Sequence, residues 1–545
     1  MTKFDVIVIG GGHAGVEAAA AAARIGKKTL LITMNTSDIG AMSCNPSIGG
    51  PGKSGMVAEI DAFGGVMPVA ADASAIHWRM LNANHGAATR ALRAQIDREK
   101  YRVAVIAQLK KLKTLTIVYE SVFDFDIKNK IVNNKYQSGA IVITTGTFLC
   151  GVVHRGVEKI ESGRLMDDGN YQDADKNLSG VLRAAGFDLI RLKTGTPARI
   201  FARSIDFSKC EIQPSDMSHG FFSSAEIASD GDKLSNCFIT KTTEETHKII
   251  RECITDAPMY NGEIVGTGPR YCPSLEDKVM RFPAHNSHHI FLEPEGENSD
   301  LIYPNGISTS FGAAVQDKFI CSIPGLENAE IERYGYAIEY DAIDARALNA
   351  NLESYDYPGV FFAGQINGTS GYEEAAAQGL VAGSAAGGAP LNLTRANSLI
   401  GVMIDDITTL GVDEPYRMFS SRAEYRLSLR ADNAVQRLGK LATDNGLIAH
   451  DEYEKKLNAR AEIVVENDKL YAGYIARNAR EIETYNRDRN IKIPRDFEYE
   501  NLPGLTNELV EKLTRARPEN IAALSRIPGM TPAGIMTILR RVKRG

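Results

Sequence analysis

Apolar residues open the chain in a short, nearly unbroken run. Phe4-Asp5-Val6-Ile7-Val8-Ile9 carries a single polar residue and stops at Gly10-Gly11-Gly12. A run of this length, rich in β-branched residues, predicts a strand covered on both faces. The alanine-rich stretch from His13 to Gly26 predicts a helix, and Thr29-Leu30-Leu31-Ile32-Thr33 predicts a second buried strand. Strand, glycine turn, helix and strand together make a βαβ unit. Two later segments carry related patterns. "GAIVITTGTFLCG" (139–151) is a hydrophobic strand ending in Thr-Gly-Thr, and "GVFFAGQINGTSGYEEAAAQGLVAG" (359–383) is a strand, a glycine loop and an alanine helix. Residues 201–275 mix strand and helix patterns. Beyond residue 400 glycine becomes rare, and helix-length stretches of alternating charge predominate, as in "YEKKLNARAEIVVENDKLYAGYIARNAREIETYNRDRN".

The turn after the first strand holds Gly10, Gly12 and Gly15 in a G-x-G-x-x-G array, in the strand–turn–helix setting that gives this motif its meaning. Glycines permit the tight turn, and the helix N-terminus offers free N–H groups to a pyrophosphate. The acid expected after the second strand, where it would hold a ribose, is replaced by Thr33-Met34-Asn35. The 139–151 and 359–383 segments resemble flavoprotein strand–turns and point to FAD as the dinucleotide. Gln365 supplies an amide where many flavoproteins have an acid, and an amide still bonds ribityl hydroxyls. Residues 201–275 contain no complete second glycine array, which leaves a paired NAD half-fold unsupported. The expected architecture is α/β: a Rossmann-like FAD-binding domain split by α/β insertions (1–200 and 276–400), an α/β insertion at 201–275, and an all-α C-terminal domain at 401–545.

Composition narrows the class. The 545 residues are 43% hydrophobic and 24% charged, with a mean hydropathy of -0.19. No apolar run reaches the ~18 residues of a membrane helix, so no membrane association is expected. The first strand is predicted to begin at Phe4, and no targeting peptide is expected. Seven scattered cysteines, never spaced C-x-x-C, argue for a reducing, cytoplasmic setting and against a disulfide frame or a zinc site. No metal is expected. Net charge is -6, so any nucleic-acid contact must come from local basic patches.

Two such patches occur. The run Arg79, Arg90, Arg93, Arg98, Lys100 and Arg102 faces only Asp97 and Glu99, and a solvated helix face accounts for it equally well. From Arg515 onward there are seven basic residues against Glu519 alone. "LSRIPGMTPAGIMTILRRVKRG" reads there as a helix-hairpin-helix ending in Arg540, Arg541, Lys543 and Arg544. Turn amides and a basic helix suit a phosphate backbone. A basic terminus that favours its own helix dipole is the alternative.

The stretch "MSCNPSIGGPGKSG" (42–55) ends like a phosphate-binding P-loop, G-x-x-x-x-G-K-[ST], but the first glycine of that pattern falls on Ser47. The last apolar run, Leu30 to Ile32, ends ten residues upstream, so no strand feeds the loop directly. A reactive-thiol loop around Cys44 and a simple turn both remain open on the residues alone.

Nine segments together resemble the MnmG (GidA) family of tRNA-modifying flavoproteins, nearly end to end. They are "GGGHAGVEAA", "MSCNPSIGGPGK", "RLKTGTPARI", "GPRYCPSLEDKVMRF", "IYPNGISTS", "GYAIEYD", "GQINGTSGYEEAAAQG", "EPYRMFSSRAEYRL" and "YAGYIAR". The chain departs from the family at 84–89, where Asn-His-Gly-Ala-Ala-Thr replaces the usual S-K-G-P-A-V, and in a shorter helical stretch before "YAGYIAR".

The resemblance implies a folate-dependent flavoenzyme that modifies C5 of the wobble uridine of tRNA. It implies FAD, NADH as reductant, 5,10-methylenetetrahydrofolate as one-carbon donor, and glycine or ammonium as amine. It also implies a homodimer that joins the GTPase MnmE in a heterotetramer. Cys44 and Cys272, the two cysteines inside family motifs, are the implied catalytic thiols, and the loop at 42–55 is then a thiol loop. The positions Gly10, Gly11, Gly12, His13, Ala14 and Gly15, with Val122, Ser179 and Gln365, are the implied FAD contacts. Gly268, Pro269, Arg270, Tyr271, Glu276, Lys278, Arg281 and Phe282 are the implied nicotinamide-nucleotide segment. Arg79, Arg90 and Arg93 and the C-terminal cations are the implied tRNA contacts. Three other readings compete: the shorter folate- and FAD-dependent tRNA uridine-5-methyltransferase, a metabolic flavoprotein reductase, and a tRNA-binding scaffold whose flavin is vestigial.

Overall fold

The computed structural model describes residues 1–166, 169–218, 220–224, 234–270 and 273–543. The opening βαβ unit forms as its pattern predicts: strand β1 (Thr2–Ile9), helix α1 (His13–Arg24) and strand β2 (Thr29–Thr33). Strands Leu115–Tyr119, β2, β1, Tyr136–Ile143 and Val360–Phe362 lie side by side, each parallel to its neighbour. The chain thus returns to its first sheet after more than two hundred residues, because Val360-Phe361-Phe362 is fully apolar and pairs with Ile141–Ile143.

Helices cover this sheet closely. Gly379 and Gly383 of helix Tyr372–Ala386 face Ala14 and Ala18 of α1, and a Cβ at either glycine would fall about 2 Å from an alanine carbonyl oxygen (2.0 and 2.2 Å). Small residues on both helices therefore let the backbones approach, and α1 is buried along almost its whole length.

A five-stranded antiparallel sheet inserted after residue 150 orders Tyr171–Asp173, Glu158–Leu165, Val152–Arg155, Tyr336–Ile343 and Leu189–Thr196. A six-stranded antiparallel sheet takes strands Glu211–Gln213 and Cys237–Lys241 from the 201–275 segment. It continues through His289–Pro294, Leu301–Asn305, Arg199–Phe201 and Ile331–Arg333. The 201–275 segment is therefore part of a unit reaching to residue 333, with its own apolar cluster around Ile200, Leu292 and Phe319.

Among the described residues no strand follows Phe362. The apolar core of the parallel sheet nevertheless extends through Leu399–Thr409 and Ala434–Asp444 to Ile448. A separate cluster gathers Ile493, Leu509, Leu513, Leu524 and Ile538 in the last helices. Between them runs the 29-residue helix Ala461–Arg489, in which Val464 is the one buried residue. Arg430 holds this helix to the body through Asp468 (2.6 Å) and the Tyr471 ring (5.5 Å). Among the described residues no helix is long and apolar enough to cross a membrane.

Candidate functional site

A cavity of about 810 Å³ opens at the C-terminal ends of the parallel strands, within the range of cofactor sites. Gly10, Gly11, Gly12, His13 and Ala14 line it, with Thr144 to Phe148 from the next strand–turn and Gly364 and Gln365 from the third. The glycine turn is built for a ligand on one side only. A Cβ on Gly15 would strike the Gly10 carbonyl at 1.8 Å, whereas one on Gly12 would meet nothing within 4 Å. Gly15 therefore lies under the turn as a packing position, and the open side at Gly12 is a cradle at a helix N-terminus, suited to a pyrophosphate.

His13 is buried in this wall, stacked on Tyr372 at 4.5 Å. Burial lowers its pKa to about 4, although Glu373 pulls the other way, so the imidazole is neutral at physiological pH. Its Nε2 is buried with no hydrogen-bond partner.

The acid missing from the β2 terminus has two replacements in space. Asp38, which accepts from Asn35 N (2.7 Å), and Glu120, which follows the neighbouring strand, both line the cavity. Arg164 (2.5 Å) and Gln172 (3.2 Å) hold Asp38, and Lys135 (2.8 Å) holds Glu120. Sequence spacing carried no signal for either, because their placement depends on the turn after β2 and on a strand more than eighty residues away.

The 42–55 loop crosses the same cavity. Cys44 Sγ lies 3.0 Å from Tyr303 Oη and 3.8 Å from the Gly195 carbonyl. The Cys44 amide donates to Tyr372 Oη at 2.8 Å. Arg98 donates to the carbonyls of Met42 and Cys44 and pairs with Glu295 at 2.6 Å. The loop is thus pinned from four elements distant in sequence, and the thiol is presented to the cavity. Lys53 lines it too but is not free for a phosphate: its ammonium pairs with Glu373 (2.8 Å) and Glu374 (3.2 Å). Burial alone would lower the Lys53 pKa, yet the two carboxylates outweigh burial and raise it.

Residues 5–393 match the family model described as Glucose inhibited division protein A. Residues 481–545 match the model of the tRNA modifying enzyme MnmG/GidA C-terminal helical bundle. The form I crystal structure of Aquifex aeolicus GidA is 42% identical, with 99% of this chain and 100% of that chain covered and a TM-score of 0.90. The form II structure of the same protein is 40% identical, with 99% and 98% covered and a TM-score of 0.88. The chain belongs to the GidA/MnmG family. Members of the GidA/MnmG family are tRNA-modifying flavoproteins.

Other positions singled out through GidA/MnmG motifs fall in varied places. Val122 lines the cavity. Ser179 does not: it is buried on helix Asn177–Ala184, and its hydroxyl donates to Asp341 at 2.7 Å. Its neighbours Lys176 and Asn177 line the cavity instead.

The described residues of the 268–282 segment, expected to hold a nicotinamide nucleotide, are absent from the cavity lining, and several of their polar groups have protein partners. Glu276 accepts from Ser310 N and Oγ (2.8 and 2.9 Å), Lys278 donates to the Gly306 carbonyl (2.7 Å), and Arg281 lies 3.5 Å from Asp277. Gly268 packs against Lys193, Pro269 is buried, and Arg270 and Phe282 are exposed. Tyr271 and Cys272 lie outside the described residues, and so does Arg544.

The first basic run is not one open surface. Arg93 lines the cavity and pairs with Glu293 at 2.7 Å, opposite Arg79 across the hairpin. Arg98 buttresses the Cys44 loop, Lys100 pairs with Glu297, and Arg102 pairs with Glu99. Arg90 is exposed, with its Nε bonded to the His85 carbonyl. These contacts, between residues up to two hundred positions apart, are invisible in a charge count. Arg540, Arg541 and Lys543 are exposed on and just after the last helix.

Proposed function

We propose that this GidA/MnmG protein binds FAD and, with the GTPase MnmE, adds a carboxymethylaminomethyl or aminomethyl group to C5 of the wobble uridine of tRNA. Methylenetetrahydrofolate supplies the one-carbon unit, glycine or ammonium the amine, and NADH the reducing equivalents. The observation that carries the reading is the presence of Cys44 in the same cavity as the glycine cradle at Gly12.

These residues fit FAD: the cradle at Gly12, with Thr144 to Thr147, Gln365 and Val122, would hold it. When bound, it supplies redox chemistry that no side chain can. The chain's own residues must activate the base. Uracil C5 is a poor nucleophile until a thiolate adds at C6, which places electron density on C5. After C5 bonds to the incoming carbon, its proton must leave to a base, and expulsion of the thiolate restores the ring. Two sulfurs suit these two tasks, Cys272 for attack at C6 and Cys44 for proton transfer, the assignment by role following the family motifs.

The C-terminal bundle supports this reading over the shorter uridine methyltransferase, and the tRNA-modifying family supports it over a metabolic reductase. The test is mass analysis of tRNA nucleosides from cells with and without the gene. Loss of the C5-modified wobble uridine is expected, and an unchanged nucleoside profile overturns the proposal.

A further inference from the structure

Tyr303 belongs to the strand Leu301–Asn305 of the six-stranded sheet and lines the FAD cavity at 3% exposure. Its hydroxyl oxygen is 3.0 Å from Cys44 Sγ, across 259 residues of sequence. Two more tyrosines approach the same loop, but their hydroxyl oxygens accept from backbone amides. Tyr372 accepts from Cys44 N (2.8 Å) and Tyr336 from Leu165 N (3.4 Å). Above the Tyr303 ring, at 4.7 Å from its centre, lies the guanidinium of Arg199. Arg199 is itself buried and held by Glu295 (2.6 Å) and the Ser43 carbonyl (3.3 Å).

This geometry treats the two protonation states of the sulfur differently. A neutral thiol can donate to the Gly195 carbonyl at 3.8 Å while accepting from Tyr303. A thiolate loses the first bond and keeps the second, which becomes a bond to a charged acceptor and about twice as strong. The cation over the ring draws electron density from the phenol and strengthens its O–H as a donor.

We infer that Tyr303 is the positioning residue of Cys44: its hydroxyl donates to the sulfur and aims it into the cavity. The inference deepens the proposed function, because a thiolate at Cys44 is what proton transfer at C5 requires. No atom is transferred by Tyr303 itself.

The test is alkylation of the purified flavin-bound protein by iodoacetamide, with the Cys44 peptide quantified by mass spectrometry from about pH 6 to 10, the range in which thiolate chemistry reports. The charged and titratable groups around the sulfur are Arg98, Arg199, Glu295, Tyr336, Tyr372 and His13, and none is altered in Tyr303→Phe. That variant should alkylate about tenfold more slowly at neutral pH, as expected for removal of one bond to the charged, attacking sulfur, with its flavin spectrum unchanged. Tyr336→Phe, whose lost hydroxyl accepts from the Leu165 amide, should slow alkylation far less than Tyr303→Phe does. An unchanged profile in Tyr303→Phe, or an equal loss in Tyr336→Phe, overturns the inference. Tyr303→Phe should also lower kcat for tRNA modification more than it raises KM. If Cys44→Ser retains full tRNA modification, the thiol chemistry of the proposed function fails while the alkylation result still stands.

Discussion

Lys53 Nζ lies 2.8 Å from the carboxylate of Glu373, 320 residues further along the chain. The same ammonium is 3.2 Å from Glu374, and both acids belong to the first turn of helix Tyr372–Ala386. Glu373 also accepts from Gly49 N (2.7 Å) and Glu374 from Met418 N (3.0 Å). The Gly-Lys-Ser ending that imitates a phosphate loop is in fact the counter-charge that lets two adjacent carboxylates sit buried under the Cys44 loop.

Removing that charge should be costly. Burial alone would raise the Glu373 pKa, but Lys53 outweighs it and holds the pKa below the usual value. Glu374 is raised by burial, with Lys53 opposing. Lys53→Met would strip both buried carboxylates of their shared ion pair, leaving Arg417 to act on Glu374 and backbone amides on both, a loss on the order of 3–5 kcal/mol. In the parent, the depressed Glu373 contributes stability that is present above its unfolded pKa and is lost as pH falls. In Lys53→Met the sign reverses, since both acids are then pushed up and protonation relieves them. Urea melts at pH 5 and pH 8 should therefore show the larger deficit at pH 8, and an equal deficit at both would rule this account out.

The two sides of the glycine turn make opposite predictions. Gly12→Glu places a carboxylate in the open cradle, where a pyrophosphate would sit, and should give a folded protein stripped of flavin. Gly15→Ala forces a methyl against the Gly10 carbonyl and should lower the melting temperature itself. Flavin absorbance alongside thermal melts separates them. Full flavin content in Gly12→Glu would refute the cradle.

His13 sets an acid limit. Its folded-state pKa, lowered by burial to about 4, lies below the unfolded value of 6.5, so the unfolded chain binds more protons between those values. The stability it contributes is present above about pH 6.5 and is lost as pH falls toward 4, by at most roughly 3.5 kcal/mol at about 1.4 kcal/mol per unit. Burial likewise lowers His77 to about 4. His13→Asn should therefore flatten the decline in stability of the flavin-free protein without abolishing it. Identical slopes in parent and variant over this range would show that His13 is not the group titrating.

What the sequence made legible follows from the range of the forces involved. The βαβ unit, the third strand–turn at Gln365 and the helical end are written in local periodicity, and each forms where its pattern lies. The cavity wall could be read as far as its glycines. Tyr303, Arg199 and Glu295 could not, because they meet Cys44 only through the pairing of Leu301–Asn305 with Arg199–Phe201. The ion pairs of the basic run at 79–102 were illegible for the same reason: Glu293 arrives on the strand His289–Pro294, and Glu295 and Glu297 in the turn after it. The place of Ser179 was equally illegible, since its hydroxyl is buried and donates to Asp341, 162 residues away.

The C-terminal bundle gives the last prediction. Its core, from Ile493 to Ile538, is separate from that of the parallel sheet. It is held to the body by a few polar contacts: Tyr355 to Glu519, Arg526 to Asp405, and the Arg495 guanidinium 3.6 Å from the centre of the Tyr355 ring. A cut near Leu470 would split helix Ala461–Arg489 and strip Tyr471 from Arg430, so the informative truncation is after Asn490. Asp405 then keeps Arg395 at 3.1 Å, and the cavity-lining residues are all retained. Flavin content should be unchanged while tRNA affinity falls. In the full chain, neutralising Arg540, Arg541, Lys543 and Arg544 should weaken binding and flatten its salt dependence by about one unit of slope for each phosphate no longer neutralised. Filter binding at several salt concentrations reads both quantities. A truncated protein that binds tRNA with the parent's affinity and slope would move the nucleic-acid surface off this bundle altogether.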